Sequence, residues 1–251
     1  MAVLVLDTAT ETLAGGVGTS EGLLGSTALR IPRGHSVLLQ PVLADLMAHT
    51  GLAPSNVTKI GVGIGPGSYT GVRIGVSTAK AMAMALGIPL VTLSTLLALA
   101  ESAVPGNPTG RVVVLPMLYA RRQRAFGAYY EKVAGAWRVR RPPCVDTIEG
   151  WMDGLRDAGD GPAQDTRTCV VHDFQPKYGI DEDLIHTQSD QVLHLSEVSG
   201  QFAPALLQLV LGGYGSNWEG TEIHGVAPDY ALPVEAEVKL AEGGEQSHGD
   251  C

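Results

Sequence analysis

Eleven consecutive residues constrain this chain more than any others: Gly65-Pro66-Gly67-Ser68-Tyr69-Thr70-Gly71-Val72-Arg73-Ile74-Gly75. They follow an apolar run, Val57 to Ile64, that reads as a buried strand. They open a longer run to Leu86 that reads as a helix, with Gly87 as its stop. A strand feeding a Gly-rich turn at a helix N-terminus is an α/β arrangement, and its free backbone N–H groups suit an anion. Three familiar turns are excluded. No Gly-Lys-Ser/Thr follows, so this is no P-loop, and Ser68 stands where a dinucleotide fingerprint beginning at Gly63 needs its third glycine. Pro66 replaces the first glycine of a nucleophile elbow. The plain alternative is a tight turn capped by Ser68 or Thr70.

The flanking sequence repeats the α/β theme. Ala2 to Leu6, Leu13 to Val17 and Leu23 to Leu29 read as a three-stranded meander, and Ser36 to Thr50 as a helix stopped by Gly51. Ile88 to Leu93 is a strand and Ser94 opens a helix to Ala103, so the order is β-β-β-α-β-α-β-α. Pro105-Gly106-Asn107-Pro108 punctuates the chain. After it, strands at Arg111 to Leu115, Ala125 to Glu131, Trp137 to Arg140 and Thr168 to His172 alternate with helices at Ile148 to Ala158 and Leu195 to Leu211. The second half reads as a shortened echo of the first. The expected division is residues 1–103, 104–232 and a flexible Glu- and Gly-rich tail, 233–251.

Charge narrows the function classes. The formal net charge is −9, so the chain as a whole repels a polyanion, and any grip on nucleic acid must be local or supplied by a partner. Arg121-Arg122-x-Arg124 and Arg138-x-Arg140-Arg141 are the basic clusters, read as solvated strand edges or a local RNA contact. The three cysteines, Cys144, Cys169 and Cys251, are too sparse for a disulfide scaffold or a CxxC pair. Met1 leads straight into a strand, and no run of about 20 apolar residues occurs, so the expectation is a cytoplasmic protein with no membrane contact.

Catalytic groups do not assemble. None of the seven histidines forms His-x-x-x-His or His-Glu-x-x-His, so no metal site and no catalytic residue is assigned. Asp7, Thr8 and Thr10 at the end of the first strand could hold Mg²⁺ and phosphate, or could be an ordinary polar turn. With Gly212-Gly213-Tyr214-Gly215 approaching an adenosine, they support an alternative: an ATP-binding kinase or ATPase acting on its own.

Two helices carry a further signal. Gly71, Gly75, Ala79 and Ala83 recur every fourth residue, a stripe that admits a second helix closely. On the helix from Ser36, Leu38, Val42 and Leu46 form one apolar row and Leu39, Leu43 and Met47 its neighbour. That arc is wider than one sheet-facing helix needs, so the helix is either deeply buried or partly a protein contact.

Asp7-Thr8-Ala9-Thr10, His35-Ser36 and the Gly65 to Gly75 string together resemble bacterial TsaB (YeaZ) proteins, closely to Ala103 and weakly but collinearly to Leu232. Two positions depart from that family: Tyr119-Ala120-Arg121 replaces its Asp-Ala-Arg, and Tyr230-Ala231-Leu232 its Tyr-Leu-Arg. The resemblance implies an actin/Hsp70-like fold of two βββαβαβα-type domains, the second shortened. It implies a non-catalytic partner of TsaD, working with the ATPase TsaE to form N6-threonylcarbamoyladenosine on tRNAs that read ANN codons. It implies homodimers when TsaD is absent, and only indirect tRNA contact. No cofactor is assigned to the chain alone; ATP or ADP belongs to the complex. Leu38, Leu39, Val42, Leu43, Leu46, Gly71, Val72, Gly75, Val76, Ala79 and Ala83 are then the expected partner interface, and Asp7, Thr8 and Thr10 a vestigial phosphate site.

Overall fold

The computed structural model describes residues 1–159 and 166–231; the tail expected from Pro233, together with Leu232 and Cys251, lies outside them. The first half runs β1 (Ala2–Asp7), β2 (Thr12–Thr19), β3 (Gly22–Arg30), α1 (His35–His49), β4 (Val57–Gly63), α2 (Tyr69–Leu86), β5 (Leu90–Leu93) and α3 (Thr95–Ala103). This is the expected order. The Ser68 hydroxyl accepts the Gly71 N–H at the start of α2, the Ser94 hydroxyl caps α3, and Gly87 takes the left-handed conformation that closes α2. Helix α1 differs in one detail. It begins at His35 after Gly34, with no side-chain cap, rather than at Ser36.

The second half runs β6 (Arg111–Tyr119), β7 (Arg124–Val133), β8 (Ala136–Thr147), α4 (Ile148–Gly159), β9 (Thr166–His172), α5 (Glu182–His186), β10 (Gln191–His194), α6 (Leu195–Leu211) and β11 (Ser216–Trp218). Its sheet has the order β10-β9-β6-β7-β8, which reproduces β5-β4-β1-β2-β3 of the first sheet. In both, the first strand pairs antiparallel with the second and parallel with the fourth. This duplicated mixed sheet is the actin/Hsp70-like plan. Strand β6 runs four residues beyond the expected Leu115, through Pro116. The β6–β7 ladder skips Leu115 and Pro116, so the missing proline N–H interrupts no pairing there.

Alternation along the strands builds three cores. Val3 and Val5 face inward with Val112 and Val114 of the second sheet, and α3 and α6 fill the space between through Leu96, Leu99, Phe202 and Leu206. Leu4 and Leu6 face the opposite way, onto α1 and α2. Val113 and Leu115 are covered by Trp151 and Leu155 of α4. The layers are α1α2, sheet, α3α6, sheet, α4.

Near the C-terminal end the chain crosses the expected 103/104 division again. Helix α6 lies on β1, β2 and β3, and β11 joins the first sheet beside β5, so the chain after His194 returns to the first half. The reason is steric. A Cβ on Gly18 would collide with Leu207, and one on Gly61 would sit 2.5 Å from Val210, so these glycines let α6 approach the first sheet.

Candidate functional site

The Gly-rich loop closes on the Asp7 turn. The Ser68 N–H donates to the Ala9 carbonyl at 2.6 Å, and a Cβ on Gly67 would strike that oxygen. Thr95 at the start of α3 completes the seal: its N–H donates to the Gly65 carbonyl at 2.8 Å, and its hydroxyl donates to Asp7 Oδ2 at 2.7 Å. Asp7 Oδ1 accepts the Ala9 N–H at 2.6 Å, and a Cβ on Gly63 would fall on the carboxylate. Asp7 is fully buried, and burial pushes its pKa up to about 6 despite these two donors. The Thr8 hydroxyl donates to the Gly71 carbonyl at 2.7 Å, while Thr10 Oγ1 accepts the Thr12 N–H at 3.0 Å. All three residues expected to meet a phosphate are therefore occupied within the chain. The Gly212 to Gly215 turn stays exposed and Gly212 and Tyr214 line a cavity of about 530 Å³, while Gly215 leads into β11 and a Cβ there would strike the Thr92 carbonyl. The Cys169 thiol, pushed up to about 12 by burial, matches the inert thiol expected.

The small-residue stripe of α2 also faces inward. A Cβ on Gly71 would strike the Thr8 carbonyl, one on Gly75 would lie 2.5 Å from the Thr8 hydroxyl, and Ala79 and Ala83 are fully buried. The stripe admits the chain's own β1 rather than a foreign helix. Leu39, Leu43, Leu46, Val72 and Val76 are buried with it. Of the eleven residues expected at an interface, only Leu38 and Val42 reach the surface. The outer face of the helix pair instead carries Val37 (72% exposed), Gln40, Pro41, Ala44 and Ala48 on α1, and Ser77, Ala81, Met84 and Ala85 on α2. Only Asp45 and Arg73 interrupt it with charges among the exposed residues at neutral pH. The sequence held a sign of this: α1 is apolar on nearly every side, so burying one side leaves a second apolar side in water.

Over residues 30–184, more than half its length, the sequence matches the family described as TsaD: tRNA N6-adenosine threonylcarbamoyltransferase. The chain belongs to this family. It is 28% identical to the tRNA threonylcarbamoyladenosine biosynthesis protein TsaB of Bacillus subtilis (strain 168), over 96% of this chain and 99% of that one. Its fold is that of YeaZ from Pseudomonas aeruginosa, with a TM-score of 0.66 at 23% identity, covering 91% of this chain and 100% of that chain. A second structure, described as similar to peptidase YeaZ from the same organism, gives a TM-score of 0.67 at 23% identity, covering 92% and 99%.

Of the two departures from the pattern expected from the resemblance, Tyr119 lies within the described residues and Leu232 lies outside them. Tyr119, in place of the family's Asp, stacks on Tyr178 with ring centroids 4.0 Å apart, and its N–H donates to Asp173 at 2.7 Å. Burial pushes the Asp173 carboxyl up to about 6. Near the C-terminal end of the described chain, residues 220–231 strap α2. Lys80 Nζ donates to the His224 and Val226 carbonyls at 2.9 and 2.7 Å, and the Asp229 N–H donates to the Ile64 carbonyl. Tyr230 stacks on Tyr69 at 4.9 Å, and its hydroxyl accepts from Arg73 Nε at 2.7 Å. The arginine of the Gly-rich string thus anchors the strap.

Proposed function

We propose that this chain is a non-catalytic subunit in tRNA threonylcarbamoyladenosine biosynthesis that docks on TsaD through the outer face of α1 and α2. The observation that carries the reading is the near-absence of charge on that face. A mostly apolar, sparsely charged surface on two neighbouring helices is what a helical partner covers. Family membership supports TsaD as that partner, and TsaE joins the pair, with ATP or ADP bound in the assembly. A second copy of this chain takes the same face when TsaD is absent. The internal use of Asp7, Thr8 and Thr10 supports placing the chemistry on TsaD and counts against the lone-ATPase reading. Substrate is the adenosine of tRNAs that read ANN codons.

Reconstitution tests this reading. Purified chain, TsaD and TsaE are assayed singly and together for threonylcarbamoyl transfer to tRNA. Product is expected only from the mixture. Transfer by the chain alone, or undiminished transfer when it is left out, would refute the proposal.

A further inference from the structure

One charge on the outer face of α2 is held in place rather than left loose. Arg73 is exposed, yet its Nε N–H donates to the Tyr230 hydroxyl at 2.7 Å and its guanidinium carbon lies 4.2 Å from the centre of the Tyr69 ring. Tyr69 and Tyr230 stack on each other at 4.9 Å, so the two rings and the cation form one unit. This arrangement fixes the guanidinium and engages a single donor, which leaves the N–H groups of the two terminal nitrogens. The ion pairs among the described residues involve Arg30, Arg111, Lys132, Arg140 and Arg141, and Arg73 is in none of them. Asp229, in the same strap, accepts the Ala231 N–H at 2.9 Å instead.

Holding the strap does not call for a guanidinium. Lys80 and the Asp229 N–H already fasten it through backbone carbonyls, and an apolar side chain at position 73 would pack on both rings. What arginine adds is a planar pair of amino groups whose orientation is set in advance. That is the donor half of a two-pronged pair.

The place of Arg73 on the helix decides what meets it. Arg73, Ser77, Ala81 and Ala85 are exposed and recur every fourth residue, so they form one stripe, with Ser77 about 6 Å along the axis from Arg73. A partner laid on Ser77 and Ala81 covers Arg73 as well. Tied at Nε and stacked on Tyr69, the side chain does not swing clear. Covering it strips water from a cation, which is costly unless the partner returns opposite charge with hydrogen bonds. A backbone carbonyl returns the hydrogen bond alone, whereas a carboxylate returns both in matching geometry. We propose that Arg73 receives an aspartate or glutamate side chain of the partner that docks on α1 and α2. Tyr69 and Tyr230 are the positioning residues that aim it.

This inference rests on the docking reading, and its test separates the two. The full chain is titrated calorimetrically into TsaD in low and in high sodium chloride. Affinity of the unaltered chain is expected to fall with salt. Arg73→Gln should weaken binding about tenfold or more in low salt and flatten the salt dependence. Arg73→Lys keeps the charge without the fork, so it should lose about threefold or more and keep the salt dependence. Tyr230→Leu loosens the strap but keeps the cation, and should lose less than Arg73→Gln with the salt dependence retained. Unchanged affinity or unchanged salt dependence in Arg73→Gln would overturn the proposal, as would equal losses and equal slopes in Arg73→Gln and Tyr230→Leu. Tighter binding by Arg73→Gln would also overturn it, by assigning the fork to an acid of the chain itself. Should Arg73→Gln fail to fold, full affinity in Arg73→Lys has the same force. Any of these results beside a weakened Val37→Asp leaves docking on this face standing, and full affinity in Val37→Asp removes both.

Discussion

The first half follows its meander with helices of 15 and 18 residues, whereas the second, on the same strand order, carries one of 12 and one of five. Both outer layers cover a sheet, and they do so to different depths. In the second half, Trp151 of α4 is fully buried, its indole N–H donating to the Ala125 carbonyl. In the first half, two long helices bury one side of themselves and leave Val37 and Leu38 in water. The ends of the first strands differ in the same sense. Asp7 closes β1 with hydrogen bonds, and Tyr119 closes β6 with a stacked ring. A duplicated backbone plan thus fixes where strands pair but not what each half presents. Length retained outside the sheet is what leaves the first half with an exposed apolar face.

The contact between halves is the place to break this comparison hardest. Lys132 of β7 and Glu101 of α3 form a buried pair at 2.6 Å, and the Trp137 indole also donates to Glu101. Lys132→Met leaves the Glu101 charge without its ammonium and should cost about 3–5 kcal/mol in urea denaturation. Glu101→Leu added to it should restore most of the loss. A single variant with unchanged stability would mean the halves do not depend on this pair.

The next effect concerns one carboxyl in each half. Asp7 and Asp173 are both raised to about 6 by burial, from ordinary values near 3.8. Their protonated forms suit the fold, so their contribution is full below the unfolded value and is lost as pH rises through about 6. At neutral pH each costs about 3 kcal/mol relative to its protonated state. Asp7→Asn should flatten roughly half of the stability decline these two acids cause between about pH 4 and 6. An unaltered slope would place the titration elsewhere.

A smaller effect tests the Tyr119 filling. Tyr119→Asp, the residue expected there from the resemblance, removes the stack on Tyr178 and should lower stability by about 1 kcal/mol. A gain in stability would contradict the packing account.

Much of the first half was legible because its signals are local. Ser68, Ser94 and Gly87 mark helix ends from a few residues away, and the apolar runs between them have clear periods. The missed elements are short: β10, α5 and β11 span four, five and three residues, and β11 exists only because β5 offers it an edge. The fate of Asp7 was hidden for a related reason. Its hydroxyl partner Thr95 lies 88 positions away, so a polar turn that looks ready for magnesium is sealed by a residue that spacing cannot reveal. The stripe of Gly71, Gly75, Ala79 and Ala83 shows a last limit. Small residues at helical spacing state that something approaches closely, and they do not state whether it is a partner or the chain's own strand.

The affinity for TsaD of two single-site variants tests the central claim most directly. Val37→Asp puts a charge on the exposed face of α1, and Glu149→Lys alters α4 on the other half. Each should change the stability of the free chain by no more than about 0.5 kcal/mol. Val37→Asp is expected to weaken the complex about a hundredfold or more, and Glu149→Lys to leave it unchanged. Full affinity in Val37→Asp, or an equal loss in both, would contradict the assignment of docking to the outer face of the first two helices.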